Sequence, residues 1–306
     1  MAAYAIRRFL WAWPTLLAIV AVSFFMIRLA PGGPFDRERT LPPEIEANLN
    51  RAYHLDEPLV VQFGRYLGNL AQGDFGPSFQ YKDFTVTELI WGGFPVSLRI
   101  GGLAILAAFL LGTAVGTVAA LNRNRWIDHI VMAGAMTGIT IPVFVMAPLL
   151  TLVLGVYLRW LPVGGWGGGD WRHTLLPVVA LSLPQIAYIA RLTRAGMVEV
   201  LRSDYIRTAR AKGLPEWITI TRHAMRGALL PVVSYLGPAT AGIVTGSVVI
   251  EQIFGIPGLG RFFVQGALNR DYTLVMGVVI FYGVLIILAN LAVDLIYGWL
   301  DPKVRY

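Results

Sequence analysis

The hydrophobic positions of this chain fall into long runs rather than into amphipathic stripes. A helix needs about 20 mostly apolar residues to cross the hydrocarbon core of a bilayer. Phe9 to Leu29 meets that length, with Arg28 at its end. Leu103 to Leu121 carries no charge and extends back toward Val96. Ile130 to Leu158 is long enough to span with tilt, and contains Pro142 and Pro148. Thr174 to Ala190 is shorter and contains Pro177 and Pro184. Leu229 to Ile250 and Thr273 to Val293 complete a set of six transmembrane helices. Prolines inside spans are tolerated where neighbouring helices or water satisfy the freed carbonyls, so these spans are expected to be bent. The fold class that follows is an all-α membrane protein.

Between the first two spans lies a polar segment, 30–95, that reads as two short helices. Pro42 and Pro43 followed by Glu44 and Glu46 mark one start, with acids near the positive end of the helix dipole. Asp56-Glu57-Pro58 opens the other, in which Leu59, Phe63, Leu67 and Leu70 share a face and Gly73 ends the run. That stripe is expected to pack on the membrane domain rather than bind a substrate. Trp160, Trp166 and Trp171, around a Gly-rich loop, suit an interfacial belt. The expected domains are thus an N-terminal helix (1–29), an external insertion (30–95) and a five-helix core (96–306).

Composition supports this division. Of 306 residues, 56% are hydrophobic and 14% charged, with a mean hydropathy of +0.62; soluble domains carry about 25% charged residues. The net charge of +7 would suggest nucleic acid in a soluble protein, but here it sorts by loop. Arg7 and Arg8, Arg123 and Arg125, the set from Arg191 to Arg226, then Lys303 and Arg305 fall on one side. The short opposite loops hold Arg159, Arg172, Arg261 and Arg270. By the positive-inside rule both termini are expected in the cytoplasm, and no nucleic-acid role is needed. The first apolar run is too long for a signal peptide, and Arg28-Leu29-Ala30-Pro31 is a poor cleavage site, so it is expected to stay as a helix.

One cytoplasmic segment has ordered start and stop signals. Ser203 can cap a helix beginning at Asp204, Lys212 lies in its last turn, and Gly213 and Pro215 end it. A helix of about nine residues is marginal alone in water and needs a docking surface; Ala209 and Ala211 are small enough to permit close approach. A second segment, Glu251 to Gly260, sets Phe254, Ile256 and Leu259 among the turn formers Gly255, Pro257 and Gly258. That arrangement suits shaped contact better than a floppy link.

Catalytic chemistry is missing. The lysines are Lys82, Lys212 and Lys303, and none sits in a phosphate-binding loop. His54, His129, His173 and His223 have no metal-ligand spacing, there is no Cys, and no nucleophile elbow occurs. No catalytic, cofactor or metal site is expected. Ion-coupled carriers keep titratable groups near the midplane, whereas Arg28, Arg99, Glu251 and Asp294 lie close to span ends. A secondary carrier or a membrane-embedded enzyme is therefore disfavoured, and another chain is expected to supply the energy.

These residues carry a resemblance. "DYIRTARAKGLPEW", Asp204 to Trp217, resembles the coupling-helix loop of type I ABC importer permeases. Thr208 and Ala209 fall on the two alanines of the EAA-x-x-x-G pattern and Gly213 on its glycine, while Arg207 replaces the glutamate. That departure, with His223-Ala224-Met225-Arg226 in place of a later I-x-L-P, resembles the dipeptide/oligopeptide branch. "RRFLWAWPTLLAIVAVSFFMIRLAPGGPF", "EQIFGIPGLG", "NRDYTLVMG" and "DPKVRY" are similar to B-type peptide permease subunits, and "GDFGPSFQYKDFTV" to the oligopeptide importer's subunit. The resemblance implies a bacterial inner-membrane permease that forms half of a peptide path. The implied partners are a second permease subunit, two cytoplasmic ATPases that use ATP and Mg, and an external peptide-binding protein. It implies ATPase coupling through Asp204, Tyr205, Arg207, Thr208, Ala209, Arg210, Ala211, Lys212, Gly213, Leu214 and Pro215. Glu251, Phe254, Ile256, Pro257 and Leu259 are the expected external gate or dock for that binding protein. Dipeptides, murein peptides, glutathione or nickel are the alternative cargoes. Because the chain has no phosphate-binding lysine, the purified subunit should show no ATP hydrolysis above a mock preparation; robust turnover free of contaminating ATPase would contradict this reading.

Overall fold

A computed structural model describes residues 2–29, 54, 56–81 and 83–300; the helix expected from Pro42 and the C-terminal "DPKVRY" lie outside the described residues. Twelve helices are described: α1 (Ala2–Leu29), α2 (Leu59–Ala71), α3 (Val86–Leu121), α4 (Trp126–Thr140), α5 (Val143–Leu150), α6 (Trp171–Val200), α7 (Asp204–Ala211), α8 (Glu216–Ile218), α9 (Met225–Ala228), α10 (Leu230–Phe254), α11 (Leu259–Leu268) and α12 (Tyr272–Leu300). Wide π-type turns continue α5 (Thr151–Tyr157) and join α8 to α9 (Thr219–Ala224). Among the described residues the only β-pairing is an isolated Pro77–Thr85 bridge.

Among the described residues five helices are long and apolar enough to cross a membrane, and the expected third span is broken. α4 and the α5 segment, Trp126–Thr140 and Val143–Tyr157, meet at 105°. The cause is local. Pro142 cannot continue a helix and drives the residue before it out of the helical region; Ile141 is extended at φ −97°, ψ 119°. A bend at the prolines was expected from the sequence, but not one of this size, because apolar runs on both sides of Pro142 do not show how sharply the chain turns there. α6 also runs ten residues past the expected Ala190, so Arg191 and Arg194 are helical rather than part of a loop. α3 likewise begins at Val86, inside the expected insertion.

The chain divides into two compact units. The first comprises residues 97–256 with the two chain ends, and α6 is its centre. A Cβ on Gly116 of α3 would come 2.4 Å from the Ala190 carbonyl oxygen, and one on Gly138 of α4 2.4 Å from that of Leu183. A Cβ on Gly196 of α6 would come 2.6 Å from the Ala228 carbonyl oxygen. Each glycine lets two backbones touch, as membrane helix pairs require.

Contacts at the two ends of this unit settle the path of the broken helix. At one end Arg194, near the close of α6, holds Asp128 in the first turn of α4. At the other, Gly165 N–H donates to the Phe254 carbonyl at 2.7 Å, and the Arg99 guanidinium lies 5.7 Å from the Trp166 ring centre. Asp128 follows the end of α3, whereas Arg99 stands 22 residues before that end, about 33 Å along the helix. The α4–α5 pair therefore leaves one end of α3 and finishes at the other. That is the path of a broken span, which brings the described residues to six candidate crossings.

The second unit holds residues 10–96 and 257–285. Val20, Phe24, Tyr66, Met276 and Ile280 form one core, with Phe63, Leu67 and Leu70 of α2 packed on it. The α2 stripe thus packs onto the membrane helices as expected, although Leu59 stays partly exposed. Ile19 lies against Gly283 while Phe24 clusters with Met276, so α1 and the start of α12 run antiparallel.

A buried carboxylate fixes the loop after α2. Asp271 is fully buried and caps α12 by accepting from Leu274 N–H at 3.1 Å. Its other oxygen accepts from the Ser78 hydroxyl at 2.5 Å and from Gln80 N–H at 3.1 Å. Thr273 adds a 2.7 Å bond from its hydroxyl to the Pro77 carbonyl. Two stretches distant in sequence, "GDFGPSFQ" and "NRDYT", are joined here by one side chain. Hydrogen bonds to a charged group contribute about 1.5–3 kcal/mol each, and a donor left buried without one costs a similar amount. Asp271→Ala should therefore lower the thermal midpoint of the detergent-solubilised protein and open the 74–85 loop to limited proteolysis, while Asp271→Asn should do so less; unchanged cleavage in both would exclude the clamp.

Candidate functional site

α7 forms where expected, over Asp204–Ala211. Its stop is a complete Schellman motif: Gly213 takes φ +77°, Gly213 N–H donates to the Arg210 carbonyl at 2.9 Å, and Leu214 N–H donates to Ala209 at 3.3 Å. Open space surrounds the missing Cβ of Gly213, so the glycine serves its backbone angle and not a contact. The start differs from expectation. Ser203 is at the cap position, but its hydroxyl donates back to the Val200 carbonyl at 2.6 Å rather than accepting from α7. That bond ties the turn to the end of α6.

Ile206 and Ala209 form the inner face of α7, at 0% and 4% exposure. Ile206 packs with Ala120, Met197, Ala224 and Ala228. Ala209 therefore faces the chain's own interior, and the sequence expectation that it meets another subunit does not fit its place. With 3.6 residues per turn, the opposite face carries Asp204, Arg207, Thr208 and Ala211, all exposed, with Tyr205 and Lys212 at its flank. Arg210 bends toward the next helix and pairs with Glu216 at 2.6 and 3.2 Å. Those bonds hold the Glu216 carboxyl below its ordinary range. Pro215 then caps α8. A short amphipathic helix is thus fastened by one face and presents the other.

The expected external gate sits differently. Glu251 and Phe254 end α10, and Gly255 at φ +64° makes a second stop, with Ile256 N–H donating to the Glu251 carbonyl at 2.8 Å. Glu251, Phe254, Ile256 and Leu259 are all 2% exposed or less, and Pro257 is half-buried. Glu251 accepts a 2.6 Å bond from the Ser97 hydroxyl, and Leu259 belongs to the core around Val86 and Ile90. These side chains face inward; what the turn shows outward is Gln252, Ile253 and Gly255.

Comparison with known proteins agrees with this layout. Residues 112–306 match the family described as the binding-protein-dependent transport system inner membrane component. The chain belongs to that family. The permease is 55% identical, over the whole of both chains, to the oligopeptide transport system permease protein OppB of Salmonella typhimurium strain LT2 and to that of Escherichia coli K12. It is 44% identical to the dipeptide transport system permease protein DppB of Bacillus subtilis strain 168, over all of this chain and 98% of that one. Among solved structures it resembles the inward-facing MetNI methionine ABC transporter, with a TM-score of 0.55 at 20% identity over 70% of this chain and 96% of that chain. An amino acid ABC transporter solved with histidines gives 0.50 at 17% identity, over 71% and 95%. Both likenesses concern the fold, and they bear out the expected type I importer architecture.

Sequence reasoning missed one constellation in this permease. Asp128, 1% exposed, accepts two bonds from Arg194, 2.7 Å from Nε and 2.6 Å from Nη2. Asn124 N–H adds a third at 2.9 Å. A planar fork on a carboxylate is geometrically specific, and this one locks the first turn of α4 to α6 just above the α7 turn. Periodicity had no means of pairing residues 66 positions apart. Breaking a buried pair costs about 3–5 kcal/mol because one charge is left alone, whereas replacing both partners with apolar residues is often neutral. Asp128→Ala should therefore destabilise the permease in a detergent melt, and Asp128→Leu with Arg194→Met should recover most of the loss; equal destabilisation by the single and double variants would contradict the pairing.

Proposed function

We propose that this chain is the permease subunit of an ATP-driven oligopeptide importer in a bacterial inner membrane. It works with a second permease, two cytoplasmic ATPases and an external peptide-binding protein. Full-length similarity to OppB carries the choice of cargo. The coupling mechanism rests on α7, whose inner face is bound to its own chain while Asp204, Arg207, Thr208 and Ala211 stay exposed. ATP-driven closure of the ATPases would push on that face. Because Ile206 packs with Met197 of α6 and with Ala224 and Ala228, the push passes to membrane helices instead of being absorbed by a loop. The result would be rigid-body alternating access. Six crossings and the arginine distribution support cytoplasmic termini, on the same side as α7.

Two substitutions separate docking from folding. Ala211→Glu adds bulk and charge at an exposed position of the outer face. Gly213→Asp forces a side chain into a left-handed angle, at about 1–2 kcal/mol, beside that face. Both variants should insert normally, yet each should lose at least about tenfold in ATPase recruitment and in peptide uptake when reconstituted with partner subunits, since a tenfold loss needs only about 1.4 kcal/mol. Ala209→Glu should fail earlier, by disrupting the packing of α7 itself. Normal uptake with Ala211→Glu and Gly213→Asp would reduce α7 to a positively charged tether and defeat the coupling role.

A further inference from the structure

The outward faces of the spans are not alike. α3 exposes Leu103, Leu106 and Leu110, and α5 exposes Phe144, Leu149 and Leu152, as a lipid-facing surface should. Between Ser234 and Thr245, α10 exposes Ser234, Pro238, Gly242 and Thr245, and the apolar Val249 and Ile253 are exposed only nearer its end. The Ser234 and Thr245 hydroxyls are satisfied by carbonyls of their own helix, so that stretch is marked by its lack of bulk.

A polar cluster lies where α6 meets α10. The Tyr235 hydroxyl donates to Gln185 Oε1 at 2.8 Å, and Gln185 is 9% exposed. The Tyr188 and Tyr235 ring centres are 5.6 Å apart. The Arg191 guanidinium lies over the Tyr188 ring at 5.3 Å, within cation–π range. Arg191 is exposed, and among the described residues no carboxylate pairs with it, whereas Arg194 one turn on is held twice by Asp128.

A cation inside a transmembrane helix is costly and faces an aqueous path or a partner charge. The simple alternative is an arginine reaching for the membrane surface. Here the guanidinium lies over Tyr188, a turn farther from Val200 than Arg191 itself, which sets it beside the Tyr235–Gln185 pair. Gly116 packs on Ala190 five residues before α3 ends, so the cluster sits alongside helix and not in the loop that follows.

We propose that Arg191, Tyr188, Tyr235 and Gln185 hold the peptide in transit, with Arg191 receiving its C-terminal carboxylate. The two rings offer faces to side chains or peptide planes, and the Gln185 amide offers a donor to a backbone carbonyl. A carboxylate is the one anion that every linear peptide carries, so such a site would be indifferent to sequence. The cluster contains no carboxylate to take the peptide's ammonium end. This inference rests on the importer reading above.

The test uses the complete importer in liposomes, with trialanine and its C-terminal amide each supplied at saturation of the binding protein. The wild type should take up the free acid at least tenfold faster than the amide. Arg191→Gln should bring the two rates within about twofold, mainly by slowing the acid, and Arg191→Lys should restore part of the difference. An acid-to-amide ratio unchanged by Arg191→Gln overturns the site while leaving the importer intact. Failure of the wild type to take up any peptide overturns the importer reading, and the site with it. Should Arg191→Gln not assemble, photoreactive benzoylphenylalanine in place of Tyr188 should capture radiolabelled peptide during turnover, and the same group in place of Leu110 should not. Equal capture at both positions, or none at 188, overturns the proposal.

Discussion

In hydrocarbon, two helices gain little by hiding apolar side chains from one another, so their association depends on how closely the backbones approach. In the 97–256 unit that approach is made along α6. Gly116, Gly138 and Gly196 each leave no room for a methyl group against a facing carbonyl. These contacts hold α3, the broken span and the α9 segment to a single helix, and every functional group described in this unit is measured from it. A side chain at any of the three positions would push a whole helix aside, which a Leu-to-Ala change in the same core would not.

Polar anchoring is added at particular points on this frame. Asp128 and Arg194 join α4 to α6 beside the coupling turn, and the Ser203 hydroxyl closes the turn itself. In the other unit Asp271 does comparable work, gathering Ser78 and Gln80 around the start of α12. Buried carboxylates that accept three or four hydrogen bonds each define one geometry and tolerate few others. Apolar packing sets how near the elements lie, and these groups set their register.

Much of this was legible in the sequence, for physical reasons that also explain the rest. Span positions follow from runs of apolar residues, which need no knowledge of partners. The stop at Gly213 follows from a local backbone requirement that glycine meets best, and the α2 stripe follows from helical period. The break at Ile141–Pro142 was harder, because proline inside a membrane helix produces anything from a slight bend to a right angle, and the surrounding helices decide which. The inward turn of Ala209, Phe254 and Leu259 escaped notice for a related reason. A small or apolar residue on a short segment reads equally well as a docking contact or as a core contact, and the choice depends on what lies beneath. Asp128 with Arg194, and Ser78 with Asp271, are pairings across the chain that a single sequence does not display.

The 105° break has a consequence for how the protein is made. A helix of 15 residues is about 22 Å long, short of the roughly 30 Å of the hydrocarbon core. The α5 segment that follows, Val143–Tyr157, is no longer. Neither half has the length to settle in a bilayer alone. During synthesis this stretch therefore has to wait for α6, whose Leu183 carbonyl meets Gly138 and whose Arg194 meets Asp128. The third crossing becomes a membrane span only once the fourth has arrived.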